Sequence, residues 1–349
     1  MSTEISWFSA LCDDDYEFLG VPEPERRSSF PHCSDIVKTA DRLGFDNILL
    51  PSGYQLGIDT IAFASAVAPM LEQIQLLVAI RCGEMWVPQL ARQLATIDQM
   101  LDGRLKINII SSDIPGETLE SVPRYTRTLE VMQVLRQLLN GEAVDFQGEF
   151  IQLKLDPPNA RTVSGKAPPF YFGGLSEPAR ECAAAGSDVF LMWPDTEDKV
   201  AEIIADMKRR AANHGRELRF GYRSHVIVRE TEAEARDAAA RLVSQLDDEE
   251  GRAIRERSLD SASEGVRRQA ELRDLSDDGF VEPFLWTGIG RARSGCGAAI
   301  VGDPDQVAAK IRRYQDLGIE ALILSGYPHK EEAELFARYV LPQLDHAPL

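Results

Sequence analysis

Arg223 and His225 stand two residues apart in the run Phe220-Gly221-Tyr222-Arg223-Ser224-His225-Val226. If that run is a strand, both side chains point to one face, because strand side chains alternate with period two. A guanidinium grips a sulfonate or carboxylate through a fork of donors. An imidazole beside it can move a proton near neutral pH. The pair reads as an anion site with a base, or as an arginine paired with a core acid beside a structural histidine. Tyr327-Pro328-His329 follows an apolar run and Gly326. These side chains could reach a ligand, or form a turn with an exposed histidine. Arg293 lies in Arg291-Ala292-Arg293-Ser294-Gly295-Cys296-Gly297. Its glycines would allow closure of a cation over an anion; otherwise this is a solvated basic loop. Trp193 is an apolar wall for a ligand or a core plug. Phe172-Gly173-Gly174-Leu175-Ser176 reads as strand, glycine turn and helix start. That pattern suits a phosphate held by free N–H groups, and equally an ordinary turn with a serine cap.

The elements around these residues explain how they could meet. Apolar strand candidates fall at Ile5–Ser9, Phe45–Leu50, Gln73–Ile80, Leu105–Ile110, Phe170–Phe172, Val189–Met192, Leu218–Val228 and Ala321–Leu324. Helical segments alternate with them, among them Asp35–Leu43 closed by Gly44, and Pro88–Leu101 with proline in its first turn. Arg124–Leu139 is a further strong helix, and Val144–Leu155 reads as an inserted hairpin. Eight strand–helix units without a composition break predict a closed (β/α)8 TIM barrel, one domain over residues 1–349. An open doubly wound sheet is disfavoured, because the first turn lacks G-x-G-x-x-G. Residues 249–290 break the rhythm with a polar insertion, expected to be a lid that orders on ligand binding.

In such barrels chemistry sits at the C-terminal ends of the strands. The rule selects Asn108, Ser111 and Ser112 after strand four, Gly174 and Ser176 after strand five, and Trp193 after strand six. It also selects Arg223, His225, Tyr327 and His329. Lys106, the one lysine tempting for a Schiff base, reads as a surface residue. No His, Cys and Asp cluster has metal-ligand spacing, so no metal is expected. No G-x-S-x-G elbow points to a hydrolase.

The net charge is −18. It disfavours nucleic acid and anionic membranes as partners, and any anion site must be a local cluster working against the overall field. Apolar residues make up 44% and charged residues 27% of the chain, and no apolar run is long enough for a membrane span. Five dispersed cysteines without a CxxC pair suit reduced thiols in a cytoplasm, and the start has no secretory pattern.

Several stretches, in order along the chain, resemble the bacterial luciferase-like flavin monooxygenases, and within them the alkanesulfonate monooxygenase group. They are Ala40-Asp41-Arg42-Leu43-Gly44-Phe45, Ala91-Arg92-Gln93-Leu94-Ala95-Thr96-Ile97-Asp98, Tyr171-Phe172-Gly173-Gly174, His225-Val226-Ile227-Val228-Arg229-Glu230, Leu285-Trp286-Thr287-Gly288, Val301-Gly302-Asp303 and Leu324-Ser325-Gly326-Tyr327-Pro328-His329. The resemblance implies a barrel using FMNH2 as a co-substrate with O2, the flavin coming from an NAD(P)H-dependent FMN reductase. It implies carbon–sulfur cleavage of an organosulfonate to sulfite and an aldehyde, and a homodimer or homotetramer. Arg223 and Arg293 would hold sulfonate or peroxide oxygens, His225 would act as base or hydrogen-bond donor, and Tyr327 would assist proton transfer. Trp193 and His329 would line the substrate site; Asn108, Ser111, Tyr125, Gly174 and Ser176 would touch flavin.

Two positions depart from the family pattern. Leu56 stands where a cysteine is common, and Leu11-Cys12-Asp13-Asp14-Asp15 replaces a histidine-bearing loop. Both flank the expected mouth, so the substrate is open between an alkanesulfonate and a sulfo-sugar such as sulfoquinovose. The competing readings are a related enzyme acting on a non-sulfonate, a deazaflavin-dependent dehydrogenase, a barrel hydrolase or aldolase, and a non-catalytic flavin-binding barrel.

Overall fold

The computed structural model describes residues 2–55, 57–256, 263–276 and 278–349. Strand and helix alternate through β1 (Glu4–Phe8), α1 (Phe30–Leu43), β2 (Asn47–Leu50), α2 (Thr60–Val67), β3 (Gln75–Arg81), α3 (Val87–Met100), β4 (Leu105–Ile110) and α4 (Ser121–Leu139). A two-stranded hairpin, β5 (Val144–Gln147) and β6 (Gln152–Leu155), interrupts them. The alternation resumes with β7 (Phe170–Phe172), α5 (Glu177–Gly186), β8 (Val189–Met192), α6 (Glu197–Asn213), β9 (Arg219–Val228) and α7 (Glu232–Leu242). Helices α8 (Asp248–Glu256) and α9 (Glu264–Arg273) follow, then short strands β10 (Phe280–Glu282), β11 (Leu285–Trp286) and β12 (Ala299–Gly302). The described chain ends through α10 (Pro304–Leu317), β13 (Ala321–Ser325) and α11 (His329–Tyr339).

Strands β1, β2, β3, β4, β7, β8, β9 and β13 pair in parallel in that order, and β13 closes onto β1. This is the expected eight-stranded barrel. Period two sorts its residues. Phe8, Leu49, Leu77, Tyr171, Val189 and Ile323 fill the lumen as one cluster. Their neighbours Trp7, Ile48, Leu76 and Leu322 face the helices in a second, larger core. Each such side chain contributes roughly 1.5–3 kcal/mol by leaving water. Helix α1 starts five residues before the expected Asp35. Ser29 caps it by accepting from His32 N, proline stands in its first turn, and Gly44 ends it at φ 84°.

Lys106 is not a surface residue. Alternation along β4 turns it inward, where it is 2% exposed. Its ammonium donates to Glu4 Oε2 at 2.9 Å and to the Leu349 backbone oxygen at 2.6 Å. Glu4 Oε1 accepts from Tyr171 OH at 2.9 Å and Asn47 Nδ2 at 3.2 Å. A buried ammonium must be paired, and here it plugs the N-terminal end of the lumen, away from the mouth.

Strand β9 outlasts the barrel. Its first residues pair with β8, and its last, His225–Val228, pair with β12 instead. Strand β12 was not expected from the sequence; β11 joins it antiparallel, and this small extension anchors the segment that precedes it. The insertion at 249–290 thus carries α8, α9, β10 and β11 among its described residues. No helix among the described residues is long and apolar enough to cross a membrane.

Candidate active site

A cavity of about 310 Å³ opens at the C-terminal ends of β4, β7 and β8, with Asn108, Ser111, Tyr125, Gly174, Ser176 and Trp193 among its lining residues. The turn after β7 is built for close approach. A Cβ on Gly173 would come within 2.0 Å of Leu191 O, and one on Gly174 within 2.6 Å of Ala179 Cβ. Ser176 stands at the N-cap of α5, yet its side chain makes no cap bond. Its Oγ is buried and without a partner among the described residues. The first N–H groups of α5 therefore stay available, with the positive end of the helix dipole behind them. Thr128 Oγ1 donates to Ser111 Oγ at 2.8 Å, and the Arg124 guanidinium lies over the Tyr125 ring at 5.4 Å.

The insertion covers this cavity through Ser263, Glu264, Gly265 and Gln269 of α9 and its cap. Arg268 clasps Asp195 with two bonds of 2.7 Å, and Gln269 Nε2 donates to Pro194 O at 2.7 Å. Trp193 is wedged between the insertion and the arginine loop. Cβ atoms on Gly265 and Gly295 would come within 2.9 and 3.0 Å of its ring. At these two positions glycine makes room for the indole, a role different from the hinge expected of the loop.

The Arg293 loop leads to a second cluster. Arg223 and His225 do share the lumen face: Arg223 Nη2 donates to Ser325 Oγ at 2.8 Å, and His225 Nδ1 lies 2.7 Å from the same oxygen. Arg223 also donates to Ser224 O at 2.6 Å and covers the Phe8 ring at 4.5 Å. Among the described residues no carboxylate forms an ion pair with it. Arg293 pairs with Asp14 at 3.0 Å. Tyr327 stacks on His225 with ring centres 5.0 Å apart and meets His329 edge-on at 5.2 Å. His329 is buried, not exposed, and its Nδ1 lies 3.0 Å from Asp15 Oδ1. His225 Nε2, Tyr327 OH, His329 Nε2 and Asp14 Oδ1 are buried without hydrogen-bond partners among the described residues.

Burial dominates the electrostatics. It pushes the Arg223 guanidinium below its ordinary value. Burial, then Arg223 and Arg293, hold His225 well below the usual imidazole range, so His225 is neutral. Burial raises Tyr327 against the opposing pull of Arg293. For Arg293 burial works downward, but Tyr327 and Asp14 outweigh it and raise it. For Asp15 burial works upward, yet His329 and His32 hold it below the carboxylate range. Burial, then Asp14, pushes the Cys12 thiol up to about 12, so it is no thiolate nucleophile at neutral pH.

The structure thus brings the expected residues into two adjoining groups. Asn108, Ser111, Tyr125, Gly174, Ser176 and Trp193 share the cavity; Arg223, His225, Arg293, Tyr327 and His329 form the polar cluster beside it. Leu56 lies outside the described residues. Sequence reasoning missed Asp14, Asp15, His32 and Ser325. The three consecutive aspartates after β1 were a usable signal, since carboxylates at a barrel mouth need cationic partners. The His32 contribution from α1 had no local signal.

The sequence model of the luciferase-like monooxygenase family matches residues 19–321. A sulfoquinovose monooxygenase of Novosphingobium aromaticivorans is 67% identical over 99% of this chain and 98% of its own. A sulfoquinovose monooxygenase of Agrobacterium fabrum is 54% identical over 98% of this chain and 90% of its own. Among solved structures, EDTA monooxygenase from Chelativorans sp. BNC1 superposes with a TM-score of 0.79 at 17% identity, covering 98% of this chain and 93% of the other. The barrel, its ordered motifs and these relatives make the chain a member of the luciferase-like monooxygenase family.

Proposed function

We propose that this chain is a reduced-FMN-dependent monooxygenase that cleaves the carbon–sulfur bond of sulfoquinovose, releasing sulfite and leaving an aldehyde at the carbon that bore sulfur. The observation that carries the reading is Arg223, a guanidinium 4% exposed at the lumen face with no carboxylate partner among the described residues. A buried cation without a counter-charge is costly, and a bound sulfonate removes that cost. The names of the two relatives, each matched over nearly the whole chain, support the same substrate.

The cavity fits FMN. An unpartnered buried Ser176 Oγ, an open α5 N-terminus and a glycine cradle that tolerates no Cβ together suit a phosphate. Gly174 and Ser176 would hold that phosphate; Asn108, Ser111, Tyr125 and Trp193 would contact the rest of the flavin. Reduced FMN with O2 supplies the oxygen atom. The protein's own work is positional and electrostatic. Arg223 orients the sulfonate. Arg293, neutralised by Asp14, adds donors without a second free charge. Trp193 and α9 keep water out of the cavity, and Tyr327 offers an unpartnered hydroxyl for proton transfer. The implied partner is an NAD(P)H-dependent FMN reductase in the same compartment, the cytoplasm, and the assembly a homodimer or homotetramer.

The test is sulfite release from the protein with FMN, NADH, a flavin reductase and air, across sulfoquinovose, octanesulfonate, methanesulfonate and taurine. Sulfite from sulfoquinovose that requires both reductase and O2 is the expected result. Tight flavin binding with no sulfite from any of the four would move the reading to a non-sulfonate substrate.

A further inference from the structure

Two imidazoles end in the polar cluster with an unpartnered Nε2, and their surroundings differ in charge. His225 is flanked by cations: it shares Ser325 Oγ with Arg223, and Arg293 is near enough to act on it. A proton on His225 would place a third positive charge beside two guanidiniums. His329 is flanked by a carboxylate. Asp15 Oδ1 accepts from the His329 backbone N at 2.9 Å and lies 3.0 Å from its Nδ1. Both side chains are fully buried.

An ionised carboxylate only accepts, so Nδ1 must carry the hydrogen. In the neutral ring that leaves a lone pair on Nε2, across the ring from Asp15, and Nε2 has no partner among the described residues. Other titratable or charged groups face this pair, and His225 is near enough to His329 for the two rings to act on one another. His32 Nε2 lies 2.9 Å from Asp15 Oδ2, Arg26 is 4.0 Å from the same oxygen, and Tyr327 meets the His329 ring edge-on. Phe8, at 5.8 Å, is an apolar face.

We propose that His329, held in its Nδ1–H tautomer by Asp15, is the base that completes desulfonation, and that His225 serves as a neutral hydrogen-bonding group. The assignment rests on the sulfonate reading above. Once the carbon bears both hydroxyl and sulfonate, the hydroxyl proton passes to His329 Nε2. The electron pair of that O–H bond becomes the second carbon–oxygen bond, and the carbon–sulfur pair departs with sulfur as sulfite, beside Arg223. No further oxidant is consumed. The imidazolium formed is paired with the Asp15 carboxylate, a resting place that His225 lacks. His32, whose side chain is 19% exposed, holds the other oxygen of Asp15 at 2.9 Å. Asp15 is on this account a positioning residue.

Nitrogen-15 NMR of the histidine-labelled protein reads the tautomer without turnover, among only five histidines. An Nδ1–H, Nε2-bare His329 that loses its fixed tautomer in Asp15→Asn is expected; a native His329 protonated on Nε2 near neutral pH, with bare Nδ1, overturns the proposal. Kinetics give the second readout. His329→Gln should lose about 100- to 10,000-fold in sulfite release while still quenching flavin fluorescence on binding. Asp15→Asn should lower the plateau and move the acid limb of the kcat/KM profile to lower pH, because the imidazolium has lost its counter-charge. His225→Gln should leave that limb in place. An acid limb that moves only in His225→Gln, or a His329→Gln rate within threefold of the unmodified protein, overturns the assignment. Absence of sulfite from the unmodified protein would instead overturn the sulfonate reading, and the tautomer measurement separates the two failures.

Discussion

Replacing Arg223 with methionine separates an anion-binding arginine from a structural one. In the protein Arg223 donates to Ser224 O, Ser325 Oγ and, at 3.5 Å, Ile323 O, and its guanidinium lies over Phe8. Losing these neutral hydrogen bonds costs about 1 kcal/mol each. Against this, the variant removes a buried cation with no carboxylate partner among the described residues, whose effective desolvation penalty is several kcal/mol. The unbound protein should therefore melt within about 5 °C of the original. Ser325 keeps His225 as a partner, and methionine fills most of the volume. Substrate binding behaves differently. Truncating one side of a buried, hydrogen-bonded charge pair costs about 2–5 kcal/mol. At about 1.4 kcal/mol per decade, kcat/KM for sulfite release should fall about 30- to 4,000-fold. Flavin affinity should hold, since Arg223 does not line the cavity proposed for flavin. The paired assays are a thermal melt without ligand and steady-state sulfite release with excess reductase. A melt lowered by more than about 10 °C would make Arg223 a structural residue, and an unchanged kcat/KM would remove it from the site.

Lys106→Met strands Glu4 in the lumen without its ammonium; unfolding free energy should drop by about 3–5 kcal/mol in a urea titration, while sulfite release per folded molecule stays the same. A second effect of His225 is on stability against pH. Its folded-state value lies well below the unfolded imidazole, through burial and then Arg223. The unfolded chain therefore takes up the proton first, and stability should be full above about pH 6.5 and fall below it by up to about 1.4 kcal/mol per pH unit. Urea midpoints from pH 7 to 5 check this, and His225→Gln should flatten the slope. Asp15, held low by His329 and His32 against burial, adds its own loss only below about pH 4. Finally, Asp195→Asn weakens the clasp on Arg268. Limited proteolysis within 249–290 should quicken, and FMN should slow it; equal cleavage with and without flavin would mean that α9 does not cover a flavin site.

The barrel was legible because its signals are local. Runs such as Gln75–Arg81 are apolar on both faces, helices close at Gly44 and Gly318, and Asp303 with Gln306 forms a capping box. Period two alone placed Arg223 and His225 on one face, and the strand-end rule placed Asn108, Trp193 and Tyr327 at the mouth. Boundaries were less legible where a side chain set them, as Ser29 did for α1. Strand β12 was illegible because four residues owe their strand form to the far end of β9.

Periodicity and residue type thus specify the architecture and the identity of the cations and imidazoles near the mouth. The tertiary structure alone decided their charge states and partners. Lys106 and Arg223 are both lumen cations, yet one meets Glu4 and the other, among the described residues, meets neutral acceptors and a ring. His225 and His329 are both buried imidazoles, yet one faces guanidiniums and the other a carboxylate 314 residues away in the chain. Coulomb energy in a dry lumen depends on distance between atoms, and that distance comes into being only when the barrel closes.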